Sequence, residues 1–506
     1  MQKVSWTIFI MFLLIWGNLL AQTSPMVVAE EVLTGSPLYY NHTPNITRSS
    51  DGTLVAVWKS GESQIVYSEY DETFGTWSPP ISLSNAGDKA EKAGITSGEN
   101  GDIYVVWQQR ETSGEDFAIY FTKKSNGFWF TPTNLTGNDV ENEEASIAVS
   151  DNGTIFVAWN TDSEPDSSEF VLCITSTDGG TSWSEPVILS STDGIIGGTS
   201  TTSGRPYLAK ATNGKMVCAW HEEPDGHPDR ESFINQFDGT SWLGPISYIN
   251  SADSANTMYP AVAVDSEDNI YMAVVSYTKI ERLLFLTKTW DATSWPDGEE
   301  KVLIEDSQLT KPVMGIDSND NIYLAFRRDN AADTTYGIEE VAFITSDDKG
   351  ATWSEQTRLS RENYDAGYIT MANTIRDSGI DFLWRESYRP FADDTDTTSI
   401  MYGHTDLLTD VENNIDLNVK NYELQQNYPN PFNPSTVINY SIPKSGLVTI
   451  KVFNILGQEI TELVNDVKPV GTYQVSFDAS DLTTGIYMYK IQAGDFSATK
   501  KMMLVK

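Results

Sequence analysis

One pattern recurs seven times between residues 46 and 384, and it limits the possible folds more than any other feature of the chain. A short apolar run meets a turn of Asp or Asn with Gly, and a second apolar run follows that ends on an aromatic or large apolar residue. Ile46 to Trp58 and Ile147 to Trp159 are the clearest copies; the others end at Trp107, Trp220, Val274, Phe326 and Trp384. Successive copies are 49, 52, 61, 54, 52 and 58 residues apart. A second half-unit comes after most of them. It is clearest from Ile174 to Leu189 around Trp183, and its relatives place tryptophans at 77, 129, 242, 295 and 353. Both half-units alternate with period two and are punctuated by turn residues, as strands are. No stretch sustains a helical period. A unit of four short strands cannot bury its own faces, so copies must stack. The architecture that does this around an axis is the β-propeller, here with seven blades or, if one unit is misread, six.

The seventh unit has a third strand near Ser399 to His404 but no tryptophan segment after it. Glu31 to Gly35, ahead of the first full unit, stands where Pro186 to Ser190 stands before the fourth. The N-terminal piece is therefore expected to supply the seventh blade's outer strand, which removes the sheet edges an open array would expose. The propeller is assigned to residues 27–408, an Asn/Asp-rich linker to 409–422, and a small Ig-like β-sandwich to 423–506.

Two turns within the repeat carry a recognisable signature. Ser176-Thr-Asp178-Gly-Gly180-Thr-Ser182-Trp183 and Ser346-Asp-Asp348-Lys-Gly350-Ala-Thr352-Trp353 resemble the Asp box of the sialidase superfamily, also called the BNR repeat. The roles expected of Asp178, Gly180, Trp183, Asp348, Gly350 and Trp353 are structural. The carboxylate accepts turn amides, the glycine takes positive φ, and the indole fills the gap between sheets. The resemblance puts these turns on the edge opposite any substrate.

Strand direction then assigns the working face. It receives the residues just after each repeat aromatic: Lys59, Gln108 to Arg110, Asn160, His221 to Glu223, Arg327-Arg328 and Arg385-Glu386. It also receives the residues just before each innermost strand: Thr43, Lys92, Glu144, Arg205, Tyr259, Lys311 and Tyr368. Eight of these are cations: Lys59, Lys92, Arg110, Arg205, Lys311, Arg327, Arg328 and Arg385. Arginine forks suit carboxylate and sulfate ligands, so a site for an acidic glycan or protein is expected here, with Lys92, Arg110, His221, Tyr259, Lys311 and Arg328 as ligand contacts. The plainer account is that these cations offset neighbouring carboxylates. The sialidase resemblance implies an alternative, an exo-acting glycoside hydrolase on acidic sugars. Arg205, Arg327 and Arg385 would clamp the anion, Tyr368 (or Tyr364) would be the nucleophile, and Glu222 its base. Two departures weigh against it and toward a binder without catalysis. The Arg-Ile-Pro motif of the family is missing, with Thr43-Pro44 and Arg205-Pro206 as its nearest approaches, and its catalytic domain has six blades. A third role, purely structural or adhesive, would use the propeller only to present loops.

The last 84 residues give a destination. Leu424-Gln-Gln-Asn-Tyr-Pro-Asn-Pro-Phe-Asn-Pro-Ser-Thr436, Gly485-Ile-Tyr-Met-Tyr-Lys490 and Lys500-Lys-Met-Met-Leu-Val-Lys506 resemble the type A C-terminal sorting domain of the type IX secretion system. The resemblance implies that the export machinery is a partner, and that the protein ends up secreted or on the cell surface. Residues 1–21 agree: Lys3, an apolar stretch from Trp6 to Leu20, and Ala21 at the end read as a cleaved signal peptide. No other stretch is long and apolar enough to span a bilayer, so the mature chain is expected to have no transmembrane segment.

The net charge of −38 belongs to the middle of the chain. The last 84 residues hold seven Lys and seven Asp/Glu, which cancel, leaving 64 acidic against 25 basic residues after the signal. Such a body is a poor partner for nucleic acid, whose phosphates need Lys and Arg. No cofactor is expected and no metal site is assigned. Calcium is the one alternative, at Asp317 to Asp320 or Asp393 to Asp396, although neither has EF-hand spacing. Cys173 and Cys218, each inside an apolar run, read as buried free thiols.

Overall fold

The computed structural model describes residues 25–405 apart from 35–42, 62, 73–74, 86–87, 112–114, 164–167, 191–203, 224–229, 249–254, 278–279, 297–298, 307–308, 330–337, 362–363, 373–379 and 389–394, and residues 422–505 apart from 428–429, 443–445, 456, 469–470, 481 and 495. The signal segment, all but the last residue of the linker, Tyr428, Asp393 and Asp394 lie outside the described residues. The chain divides into two compact units, residues 1–408 and 409–506.

The first unit is built only of antiparallel sheets. Seven of them succeed one another along the chain, six with four consecutive strands on the main path and the seventh with three joined by the N-terminal strand. The innermost strands are Asn45–Arg48, Lys89–Ser97, Asn142–Val149, Gly204–Lys210, Asn256–Val264, Thr310–Ile316 and Tyr364–Met371. Each packs against the next, and the last against the first, so the ring of blades is closed. In the seventh blade Met26–Thr34 pairs antiparallel with Thr395–Thr405 and serves as the outer strand, with Glu31 opposite Thr398 and Leu33 opposite Asp396. The expectation for the N-terminal piece therefore holds, and the strand reaches several residues further toward the N-terminus than the sequence suggested.

A buried charge network ties this closure to the first blade. Arg48, on the first blade's innermost strand, donates to both oxygens of Asp381 on the seventh blade at 2.7 and 3.0 Å. Tyr402 and His404, on the strand that pairs with the N-terminal segment, meet Asp381 Oδ1 at 2.7 and 3.0 Å. Burial opposes the Asp381 carboxylate, but the hydrogen bonds from His404 and Arg48 outweigh it and bring its pKa down to about 2.

The repeat aromatics explain why each blade forms. Trp58, Trp107, Trp159, Trp220 and Trp384 are fully buried between sheets. The tryptophans of the outer half-unit bridge to the preceding blade: Trp129 packs on Tyr67, Trp183 on Phe121, Trp242 on Phe156, Trp353 on Phe285 and Trp77 on Tyr402. In the two signature turns the carboxylate organises the loop as expected. Asp178 accepts from the amides of Thr181 and Ser182 at 3.0 and 2.9 Å, and Asp348 from that of Thr352 at 2.7 Å. Gly180 and Gly350 have φ of 82° and 83°, and a Cβ on either would run into the ring of Phe121 or Phe285.

The second unit packs a three-stranded against a four-stranded antiparallel sheet. Its core includes Phe432, Ile438, Tyr440, Phe477, Tyr489 and Leu504. The Tyr489 hydroxyl donates to the Gln425 carbonyl at 2.6 Å and accepts from the Asn427 amide at 2.7 Å, which fixes the opening segment to the sandwich.

Candidate functional site

Register places the two ends of each blade apart. In the sixth blade Arg327 pairs with Thr310 and Val341, whereas Ser346, which opens the Asp348 turn, pairs with Ile322 at the other end. The cations just after the repeat aromatics therefore open on the face opposite the signature turns.

On that face six of the seven innermost strands bulge at the same place, with register shifts at 91/94, 143/146, 204/207, 258/261, 310/313 and 367/370. In five of them the bulged residue is left-handed: Lys92, Glu144, Tyr259, Lys311 and Tyr368, with φ between 49° and 57°. Non-glycine residues avoid this region at a cost of about 1–3 kcal/mol each. The bulge turns these side chains to the axis and leaves a backbone amide without a ladder role, which is why proline is accepted next at 206, 260 and 312. The sequence located these residues correctly but put them ahead of the strands. They lie within the strands, because a bulge interrupts pairing without ending it.

Thr43, Lys92, Glu144, Tyr259, Lys311 and Tyr368 rim an axial cavity of about 250 Å³. Beneath them its walls are apolar, with Ile95, Ile147, Leu208, Val313 and Met371. On this face, one at the cavity and the others away from its lining, lie buried polar atoms with no hydrogen-bond partner among the described residues. They are Thr43 Oγ1, Arg110 Nε, Glu281 Oε2, Thr310 Oγ1, Arg327 Nε and Arg385 Nε. Such atoms are costly to keep buried without a partner.

Six of the eight cations of this face fall into two groups. Lys59 pairs with Glu91 at 3.0 Å, Lys92 with Glu143 and Glu144 at 3.1 and 2.9 Å, Arg327 with Glu339 at 2.7 Å, and Arg328 with Glu340 at 2.6 Å. For these four the plainer account holds, since a local carboxylate is already engaged. Burial works against the Lys92 ammonium, but Glu144 and Glu143 outweigh it and raise its pKa. Arg110 lies 4.6 Å from the Phe117 ring centroid. The second group leans on one aromatic ring. Lys311 Nζ is 4.1 Å and Arg385 Cζ 5.2 Å from the centroid of Tyr368. Arg385 has no carboxylate within ion-pair reach among the described residues. Arg205 lies on its strand, but its side chain is outside the described residues.

Arg327 and Arg385 both act on Glu339, whose carboxyl is nonetheless pushed up by burial, with Asp365 and Asp329 adding to the rise. Glu281, also raised by burial, feels Arg327 as well. Glu222 has a different place from the one expected of a base. Its carboxylate accepts from the Trp220 indole at 2.8 Å, as Gln109 does from Trp107 and Glu386 from Trp384. A polar residue two positions after the repeat tryptophan is thus an indole acceptor, a signal that was present in the sequence and went unused. His221 is buried edge-on to Tyr259, ring centroids 5.5 Å apart, and Tyr259 in turn meets Tyr277 at 6.4 Å.

No group of His, Cys, Asp and Glu among the described residues is arranged to hold a metal ion. The Asp317 carboxylate is taken by the amides of Asn319 and Asn321, the Asn321 side chain and the Tyr323 hydroxyl. No helix among the described residues is long and apolar enough to cross a membrane.

Comparison with known proteins adds a destination and a fold. Residues 426–506 match the family model described as secretion system C-terminal sorting domain. The C-terminal unit is a sorting domain. It directs the protein through the type IX secretion system to the cell surface or the extracellular space. No curated protein matches the chain. Among solved structures, a polysaccharide lyase family 25 ulvan lyase bound to -[GlcA(1-4)Rha3S]- aligns with a TM-score of 0.52 at 12% identity, over 74% of this chain and 95% of its own. The polysaccharide lyase Uly1 aligns at 0.48 and 10% identity, over 73% and 91%. The Hadza microbial sialidase Hz136 aligns at 0.43 and 15%, over 69% and 73%. At these identities the likeness is one of fold.

Proposed function

We propose that the exported propeller binds an acidic glycan at its axial mouth, through Lys311 and Arg385 beside Tyr368. The observation that carries this reading is Arg385. It is a half-buried guanidinium at the rim, with an orphaned Nε and no carboxylate in reach among the described residues, on a chain of net charge −38. A body this acidic repels anions at long range, so a cation left uncommitted at a cavity suits a specific anion. Tyr368 and Tyr259 offer rings on which a sugar face can rest. The ulvan lyase, whose bound oligosaccharide carries glucuronate and sulfate, supports only the suitability of the scaffold.

Titration calorimetry of the full chain with uronate and sulfated oligosaccharides tests the reading. Arg385→Ala and Lys311→Ala should each weaken binding about tenfold or more, the worth of one charged hydrogen bond, and added salt should weaken it further. Lys451→Ala, in the sorting unit, should change nothing. Undiminished binding by both mouth variants would remove the proposal.

A catalytic reading, sialidase-like hydrolysis of acidic sugars, draws on the two Asp-box-like turns and on Arg327 and Arg385 acting together around Glu339. Glu222, held by Trp220, is poorly placed to serve it. Release of a fluorophore from a sialoside or uronide, lost in Arg327→Ala, is the result that would favour it.

A further inference from the structure

We infer that the mouth is a cup narrowed at the bottom by Tyr207, and that it takes one end of a glycan chain rather than an internal stretch. This rests on the acidic-glycan reading and narrows it. Tyr207 sits on the fourth blade's innermost strand, Gly204–Lys210. Its hydroxyl donates to the carbonyl of Met314, on the sixth blade's innermost strand, at 3.2 Å. These strands are not neighbours, because Asn256–Val264 of the fifth blade stands between them. The side chain therefore passes in front of the fifth blade to the sixth, and both Tyr207 and the bulge residues border the same cavity. Burial pushes the phenol up to about 12, so it remains a neutral donor at any ordinary pH.

The cavity stops at that level. Its lining includes Lys311 and Val313 but not Ile316, and Lys92 to Ile95 but not Ser97. From Lys311 to Met314 is three residues, or about 10 Å of strand. The cavity volume is near 250 Å³. It falls just below the ~300–1,000 Å³ of sites that enclose drug-sized ligands. One sugar ring fits that space and several do not. Tyr207 fills the arc in front of the fifth blade and narrows the way below the mouth for a polymer. The polarity is graded to match: cations and tyrosines at the rim, aliphatic walls below. A terminal residue can present its carboxylate or sulfate to Lys311 and Arg385 and its less polar face to Val313 and Met371.

The stoichiometry of binding to a length series decides the matter. The full chain is titrated with oligogalacturonides, and in a second series with heparin oligosaccharides, from disaccharide to long polymer. Chain-end recognition gives one protein per sugar chain whatever its length, and capping one end only, by reduction or by oxidation, abolishes binding and identifies the end. Sites that multiply in proportion to length, or binding that survives capping of both ends, overturn the inference while leaving the glycan reading intact. Absence of binding in both series overturns both. Tyr207→Phe, which keeps the ring and loses the hydrogen bond, should stay within about threefold of the parent with the same stoichiometry. Tyr207→Ala, with its fold checked by thermal melting, should weaken chain-end binding at least tenfold.

Discussion

Replacing Asp381 by Asn removes the charge from the seam where the ring closes, and the size of the effect can be worked out in advance. The carboxylate falls from 3.8 unfolded to about 2 folded. At about 1.4 kcal/mol per unit this corresponds to roughly 2 kcal/mol of stability at neutral pH. Leaving Arg48 buried beside a neutral amide adds to the loss, and breaking a buried pair from one side costs about 3–5 kcal/mol when nothing compensates. Asn keeps part of the hydrogen bonding, so a loss of about 2–3 kcal/mol is expected. The sign with pH is definite. A folded pKa below the unfolded one stabilises above the unfolded value, and the contribution fades as pH falls from about 4 toward 2. The gap between parent and variant should therefore be flat from neutral pH to about 5 and then close. Urea unfolding followed by tryptophan fluorescence reads this cleanly, because all 14 tryptophans lie outside residues 423–506 and the sorting unit is silent. An unchanged midpoint, or a gap that persists at pH 2, would refute the assignment of closure to this network.

Two further outcomes come from the packing. Gly350 and Gly153 share a φ of 83°, but only Gly350 faces a ring where a Cβ would go. Gly153→Ala should cost about 1 kcal/mol from backbone strain alone, and Gly350→Ala at least 1 kcal/mol more, measured as midpoint shifts in urea; equal costs would mean that Phe285 yields freely. Cys173 and Cys218 are free and buried, and burial raises both thiols. A thiol reagent should therefore react with neither until the propeller unfolds, and rapid native-state labelling would contradict the packing.

Much of the fold was legible because its information is local. The hairpin turns, period-two runs and spaced tryptophans each act within one blade, and repetition of one unit leaves few ways to bury its faces. The same locality let Glu31 to Gly35 be assigned to the last blade, since a strand missing at one end matched a spare one at the other. The site was legible only as a set of positions. That Thr43, Lys92, Glu144, Tyr259, Lys311 and Tyr368 share one rim could be inferred from strand direction, whereas the left-handed bulges of the last five could not.

By itself, then, the sequence determined the repeating blade, the closed wheel, the side on which the cations stand and the export tail, because each arises from patterns a few residues long. Tertiary structure alone decided which cations are already committed. Lys92 meets Glu143 and Glu144 from the next blade, whereas Arg385 lies by the ring of Tyr368 with no carboxylate within ion-pair reach among the described residues. It alone carried Tyr207 past the fifth blade to Met314. Such contacts join residues about 50 to 100 positions apart, and their existence depends on how neighbouring blades are rotated and spaced, which no local pattern encodes.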